Sequence, residues 1–116
     1  MLVVDDHPGV RCALEALVRS AGDLVLLGSA RDGEEAVLLS TQLRPRVVVM
    51  DLTMPGVNGV EATRRVRGQE PAPVVVALSG SHELIRDAVA AGAAFTVLKD
   101  VDPERLLDVI RAAAGR

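Results

Sequence analysis

The sequence predicts an α/β fold, a parallel sheet covered by helices on both faces, in one domain spanning residues 1–116. Three observations carry that prediction. A chain of 116 residues has room for a single domain. Five short apolar runs, mostly Val-rich and bounded by turn or polar residues, read as strands buried on both faces. Longer stretches of helical periodicity separate them, and strands that alternate with helices imply parallel pairing through right-handed crossovers.

The first strand is Leu2-Val3-Val4, almost at the start of the chain. A helix follows, with Pro8 in its first turn, where a missing N–H does no harm. Val10, Leu14, Leu17, Val18 and Ala21 share one face at spacings of three and four, and Gly22 can supply the left-handed stop. Leu24-Val25-Leu26-Leu27 is the second strand. Asp32, with Glu35 three residues on, opens the second helix as a capping box. Val47-Val48-Val49-Met50 is the third strand, and Asn58 with Glu61 opens the third helix in the same way. Val74-Val75-Val76-Ala77-Leu78 is the fourth strand. His82 opens the helix after it, and Gly92 closes that helix. Phe95-Thr96-Val97-Leu98 is the fifth strand. Asp102-Pro103-Glu104 then gives a cap, a proline and an acidic first turn, and Leu106, Leu107, Val109, Ile110 and Ala113 form the last apolar stripe.

Composition excludes several function classes. There is one Phe and no Tyr or Trp, so the core is aliphatic and bases have no rings to stack on. A net charge of −3 offers no basic field for a phosphate backbone. The single cysteine, Cys12, excludes an internal disulfide and a cysteine-cluster zinc site, which fits a reducing cytoplasm. No apolar run approaches the length of a membrane span, and no signal peptide is legible.

Ligand sites of open parallel sheets lie beyond the carboxyl ends of the strands. There the first strand ends in Asp5-Asp6, the third in Asp51, the fourth in Ser79 before Gly80, and the fifth in Lys99. Three carboxylates in one pocket repel, and without a cation at least one has a raised pKa. A hard divalent cation such as Mg²⁺ relieves the repulsion and leaves ligand positions for a phosphate. Asp51, in the middle, is a candidate nucleophile for phosphoryl transfer through an aspartyl phosphate. Lys99 and the Ser79 hydroxyl would bind phosphoryl oxygens, and Gly80 would leave space for a donor. Single residues outside this set have blander readings. His7 and His82 are loop or helix-opening histidines, Cys12 lies off the apolar stripe, and Arg64, Arg65 and Arg67 form a solvated helix face.

The motifs Val3-Val4-Asp5-Asp6-His7-Pro8, Met50-Asp51-Leu52-Thr53-Met54-Pro55-Gly56-Val57-Asn58-Gly59, Leu78-Ser79-Gly80 and Leu98-Lys99-Asp100, in this order, resemble a response-regulator receiver domain of two-component signalling. The likeness covers essentially the whole chain, and its Asp-His-Pro start and Lys-Asp end are similar to the NarL/FixJ-like branch. The resemblance implies a flavodoxin-like doubly wound sheet of order 2-1-3-4-5. It implies Asp51 as phosphoacceptor, and Mg²⁺ held by Asp6, Asp51 and the Thr53 backbone carbonyl, with Asp5 acting largely through water. Ser79 and Lys99 would bind the phosphoryl group. A sensor histidine kinase would be the donor, a homodimer is among the partners the resemblance allows, and DNA would be reached only through an output domain not present in this chain. It also implies a cytoplasmic protein that controls transcription and performs no catalysis beyond its own phosphorylation and slow dephosphorylation.

One position departs from that family. Its switch carries Tyr or Phe three residues before the lysine, and here that residue is Thr96. Phe95, one residue earlier on the strand, faces the opposite side. Two other functions are weighed against the phosphoacceptor. A phosphohydrolase of the aspartyl-phosphate type needs a second Asp two residues after the nucleophile, where this chain has Thr53. A phosphorylation-independent binding module would rest on Thr96 alone, since the acidic pocket is intact.

Overall fold

The computed structural model describes residues 1–54 and 58–116. Pro55, Gly56 and Val57, part of the motif that follows Asp51, lie outside the described residues. Five strands and five helices alternate: β1 Leu2–Val4, α1 Pro8–Ser20, β2 Gly28–Ala30, α2 Gly33–Leu43, β3 Val47–Asp51, α3 Gly59–Arg67, β4 Val74–Ser79, α4 Ile85–Ala91, β5 Phe95–Leu98 and α5 Pro103–Ala114. The strands form one parallel sheet in the order β2-β1-β3-β4-β5, the flavodoxin-like arrangement expected.

Strand side chains alternate between two cores. Leu2, Val4, Val48, Met50, Val75 and Ala77 pack with Ala36 of α2, Ala62 and Val66 of α3 and Ala88 of α4. Val3, Val49, Val76, Leu78 and Val97 pack on the other face with Leu14 and Val18 of α1 and Leu106 and Ile110 of α5. Burial on both faces is why the strands read as unbroken apolar runs. The chain leaves β1 for β2 on one side, then returns to β3 on the other. The crevice at that reversal opens at the carboxyl ends of β1 and β3, which carry Asp5, Asp6 and Asp51.

Most end signals act as read. Asp32 accepts the Glu35 N–H at 2.8 Å, Asn58 the Glu61 N–H at 3.0 Å, and Asp102 the Glu104 N–H at 2.8 Å. Gly92 closes α4 at φ +113°. Four local expectations are corrected. The second strand is Gly28–Ala30 rather than 24–27, because its partner β1 starts at Leu2, which pairs with Gly28. The apolar residues before it run past Met1 instead: the Met1 ammonium donates to Val25 O at 2.6 Å and Leu27 N–H to Met1 O at 2.8 Å. Leu24 and Leu26 pack on the core while Val25 and Leu27 face solvent. α1 ends at Ala21 in extended backbone, so Gly22 is not its left-handed stop. Val10 stands at the solvent end of its stripe. His82 lies in the turn before α4, where its carbonyl accepts the Ile85 N–H at 3.3 Å.

Candidate functional site

The site grows from strand ends held in register. Asp5 N–H continues the β1–β2 ladder to Ala30 O at 3.1 Å, and Lys99 N–H continues β5 onto Ser79 O at 2.8 Å. Both extensions place their side chains over the crevice. Asp5 and Asp51 are fully buried, whereas Asp6 is exposed. One carboxylate oxygen from each of the three lies within 4.8 Å of the others.

Asp51 Oδ1 accepts the Lys99 ammonium at 2.8 Å and the Thr53 N–H at 3.1 Å. Asp5 Oδ1 accepts the His7 N–H at 2.9 Å, and its Oδ2 lies 3.8 Å from Lys99 Nζ. The Oδ2 atoms of Asp5 and Asp51 are both buried without a hydrogen-bond partner. Leaving a buried acceptor unmet is unfavourable by about 1–3 kcal/mol, more for a charged group, so two such atoms in one pocket suit a ligand that engages both. Three carboxylates facing one ammonium fit a hard divalent cation.

The acidities follow from this geometry. Burial pushes Asp51 above its ordinary carboxyl value, opposed by the Lys99 and Thr53 bonds and reinforced by the Asp5 charge. Burial acts to lower Lys99, but its bond to Asp51 and the charges of Asp51, Asp5 and Asp6 hold the ammonium above its usual value.

Ser79 ends β4, buried beside this pocket, but its hydroxyl is turned into the following loop. Oγ accepts the Ser81 N–H at 3.1 Å and donates to Ser81 O. Space beside Gly80 is open, since a Cβ built there meets no heavy atom within 4 Å. Thr96, half-buried, pairs with Ala77, while Phe95, also half-buried, packs against the core that holds Val97, Leu106 and Ile110. The two residues face opposite sides of β5.

Most of the lesser candidates have structural employment. His7 caps α1, its Nδ1 accepting the Val10 N–H at 3.2 Å. Arg64 and Arg65 pair with Glu61, and Arg67 donates to Pro73 O at 3.0 Å. Cys12 is exposed. Two residues have roles at the site that the sequence reading did not assign, although Gly59 stands in the motif after Asp51. Arg11 donates from Nη1 to Asp5 O at 3.0 Å, and Gly59 packs directly on the Asp51–Leu52 backbone. A basic residue in a helix's first turns and a glycine after a cap carry no local signal of either role. A groove of about 710 Å³ between α1 and α5 borders the site, with His7 and Lys99 at its end and Leu14, Leu17 and Leu106 along it.

The response regulator receiver domain model matches residues 1–111. The nitrate/nitrite response regulator protein NarL of Escherichia coli strain K12 is 35% identical over 117 residues, covering 99% of this chain and 54% of that protein. The signal receiver domain of the putative response regulator NarL from Mycobacterium tuberculosis superposes with a TM-score of 0.91 at 31% identity, covering 99% of this chain and 95% of that one. A chain of the CheX-CheY-BeF3-Mg²⁺ complex from Borrelia burgdorferi superposes with a TM-score of 0.86 at 26% identity, covering 96% and 85%. The chain spans about half the length of the curated relatives it matches.

Proposed function

The chain belongs to the response regulator receiver domain family, and we propose from that premise that Asp51 takes a phosphoryl group from a sensor histidine kinase and thereby changes a partner-binding surface, with transcription as the controlled output. The observation that carries this reading is the buried Asp51 carboxylate, one oxygen on Lys99 at 2.8 Å and the other unpartnered, within a three-carboxylate pocket.

The residues fit a divalent cation. Asp6, Asp51 and the Thr53 carbonyl would hold Mg²⁺ directly, with Asp5 acting largely through water. Bound there, the ion neutralises charge that builds on the phosphoryl oxygens. The remaining work falls to the chain. An Asp51 oxygen attacks the donor's phosphorus as the bond to the donor histidine nitrogen breaks, the electron pair leaving with the imidazole. Lys99, already fixed on Asp51 and near Asp5, pairs with a phosphoryl oxygen, and Ser79 donates to another after leaving Ser81. Thr53 sits where a hydrolase would carry its general acid, so the product persists as a signal rather than turning over rapidly.

The test is intact mass after a small phosphodonor. The protein gains one phosphoryl group with millimolar Mg²⁺ and none in chelator; a chain that gains nothing with Mg²⁺ is not a phosphoacceptor. Mg²⁺ alone also raises the melting temperature. At a hundredfold excess over its dissociation constant, the gain is about 2.7 kcal/mol. For a domain of this size that is roughly 10 °C. Asp6→Ala abolishes the shift; a melting curve indifferent to Mg²⁺ in the wild type removes the metal from the mechanism.

Thr96 sets the size of the switch. The family's aromatic ring fills the space vacated as the hydroxyl residue moves toward the phosphoryl group, making the change nearly two-state. Threonine is too small for this, and Phe95 faces the other core. A phosphate shifts an equilibrium only by its differential affinity for the two states. Thr96→Tyr therefore enlarges the beryllofluoride-dependent change in dimer or partner affinity while the phosphorylation rate changes little. A large shift in the wild type with no increase in the variant assigns the switch to the Ser79–Ser81 loop instead.

A further inference from the structure

Asp6 is the exposed member of the pocket, and among the described residues its carboxylate makes no hydrogen bond. Its direction is therefore set by the backbone beneath it. Between the end of β1 at Val4 and the start of α1 at Pro8 the chain has three residues in which to turn. His7, at the end of the turn, is tied to α1 by the Val10 and Arg11 N–H groups, and three bonds fix Asp5 at its start. The Asp5 N–H donates to Ala30 O at 3.1 Å, its Oδ1 accepts the His7 N–H at 2.9 Å, and its carbonyl accepts Arg11 Nη1 at 3.0 Å. The second and third are both charge-assisted, and the third alone of these reaches back from the side chain of a residue on α1 across the turn.

Arg11 is half-buried and makes no salt bridge among the described residues. Its partner is a backbone carbonyl rather than a carboxylate. That carbonyl belongs to the peptide joining Asp5 to Asp6. Anchoring it fixes the peptide plane and, with it, the direction in which the Asp6 side chain leaves the backbone.

We propose that Arg11 is a positioning residue for the cation site: through the Asp5 carbonyl it holds Asp6 toward Asp51, so that the three carboxylates meet as one ligand set. The inference rests on the reading of this pocket as a Mg²⁺ site. It has a sign that separates it from simple electrostatics. A positive charge near a cation site weakens cation binding, so removing Arg11 for its charge alone tightens Mg²⁺. Removing it as an anchor loosens Mg²⁺, because Asp6 is then free to turn to solvent.

The experiment is a calorimetric Mg²⁺ titration of the wild type, Arg11→Met and Arg11→Lys, with the metal-free melting temperature recorded for each. Methionine keeps an unbranched apolar stem and removes the donors. Lysine keeps a charged donor of similar reach. Arg11→Met binds Mg²⁺ about 5- to 10-fold more weakly, which is about 1–1.4 kcal/mol, and Arg11→Lys recovers most of the loss. A role confined to stability lowers the metal-free melting temperature and leaves the Mg²⁺ affinity of the folded protein unchanged. Arg11→Met binding as tightly as the wild type, or more tightly, overturns the proposal. Should that variant not fold, Arg11→Gln, neutral and with a shorter donor, carries the same reading: weaker binding supports positioning, and equal or tighter binding overturns it. Absence of Mg²⁺ binding by the wild type itself overturns the metal site and the positioning role together, whereas binding by the wild type with an indifferent Arg11→Met overturns the positioning role alone.

Discussion

Asp51→Asn is expected to take up no phosphoryl group under conditions in which the wild type gains one. Asp5 and Asp6 remain carboxylates in the same pocket, so the loss is informative. Asp5 is committed to the His7 N–H, and Asp6 is exposed and lacks an ammonium within bonding distance. Only Asp51 combines a buried free oxygen with Lys99 at 2.8 Å. A full phosphoryl gain in the variant moves the acceptor to one of the other two.

The same substitution has a stability signature. Asp51's carboxyl is raised above its ordinary value of 3.8, chiefly by burial. Below that value the group is protonated in both folded and unfolded chains, and contributes nothing. As pH rises through the window up to the raised folded value, the unfolded chain releases its proton first, so the metal-free wild type loses stability. Asparagine has no proton to release there. The melting temperature of Asp51→Asn should therefore climb relative to the wild type across that window and stay ahead at neutral pH. Lys99 acts at the other end. Its raised pKa supplies stability present below its ordinary 10.5 and lost as pH rises through the folded value. Part of that alkaline loss disappears with its partner Asp51. Metal-free melting curves from acid to alkaline pH check both limbs, and a wild type that gains on the variant as pH rises through the carboxylate window contradicts the assignment.

Gly59→Ala should be the most damaging small substitution near the site. Gly59 starts α3 with its N–H on Leu52 O at 3.2 Å. A Cβ there falls 2.0 Å from Asp51 O and 2.4 Å from Leu52 Cα. Both are backbone atoms of the segment that presents Asp51, so no side chain can rotate away. Either α3 lifts from the sheet or the end of β3 moves. Overpacking of this kind commonly costs 1–3 kcal/mol, and a clash with two backbone atoms belongs above that range, at more than about 3 kcal/mol. That is a large fraction of a domain's total stability, and the melting temperature falls by roughly 12 °C or more. What folds should phosphorylate poorly, because the strand end carrying Asp51 has shifted. Gly80→Ala is the control: its Cβ enters open space, and stability should change little. A Gly59→Ala protein that melts with the wild type means the helix and strand end separate easily.

The alternation of Val-rich runs with helical stripes is a local signal, since a strand buried on both faces and an amphipathic helix each write their period into consecutive residues. Alternation implied parallel pairing, and the strand order came from the motif likeness alone. Asp5, Asp6, Asp51, Ser79 and Lys99 were legible because their chemistry is displayed one after another at strand ends. Phe95 and Thr96 could be put on opposite faces because the strand period is two. The remainder depends on residues distant in the chain. β2 begins at Gly28 because β1 offers its first ladder partner at Leu2. The apolar run before it looks like a strand, but the β1-side partner of its Val25 and Leu27 backbone is Met1, ahead of the ladder. Ser79 was recognisable as a hydroxyl beside the pocket; that it bonds Ser81 instead is a matter of how the β4–α4 loop closes. Gly59 is indispensable for a crossing of two backbones that neither segment encodes by itself. Arg11 reads as one more solvated arginine until α1 is docked and its guanidinium meets the Asp5 carbonyl. Periodicity reports which side of an element is buried. It is silent on which atom of another element arrives there, and at that level the site acquires its free oxygens, its anchored turn and its crowded glycine.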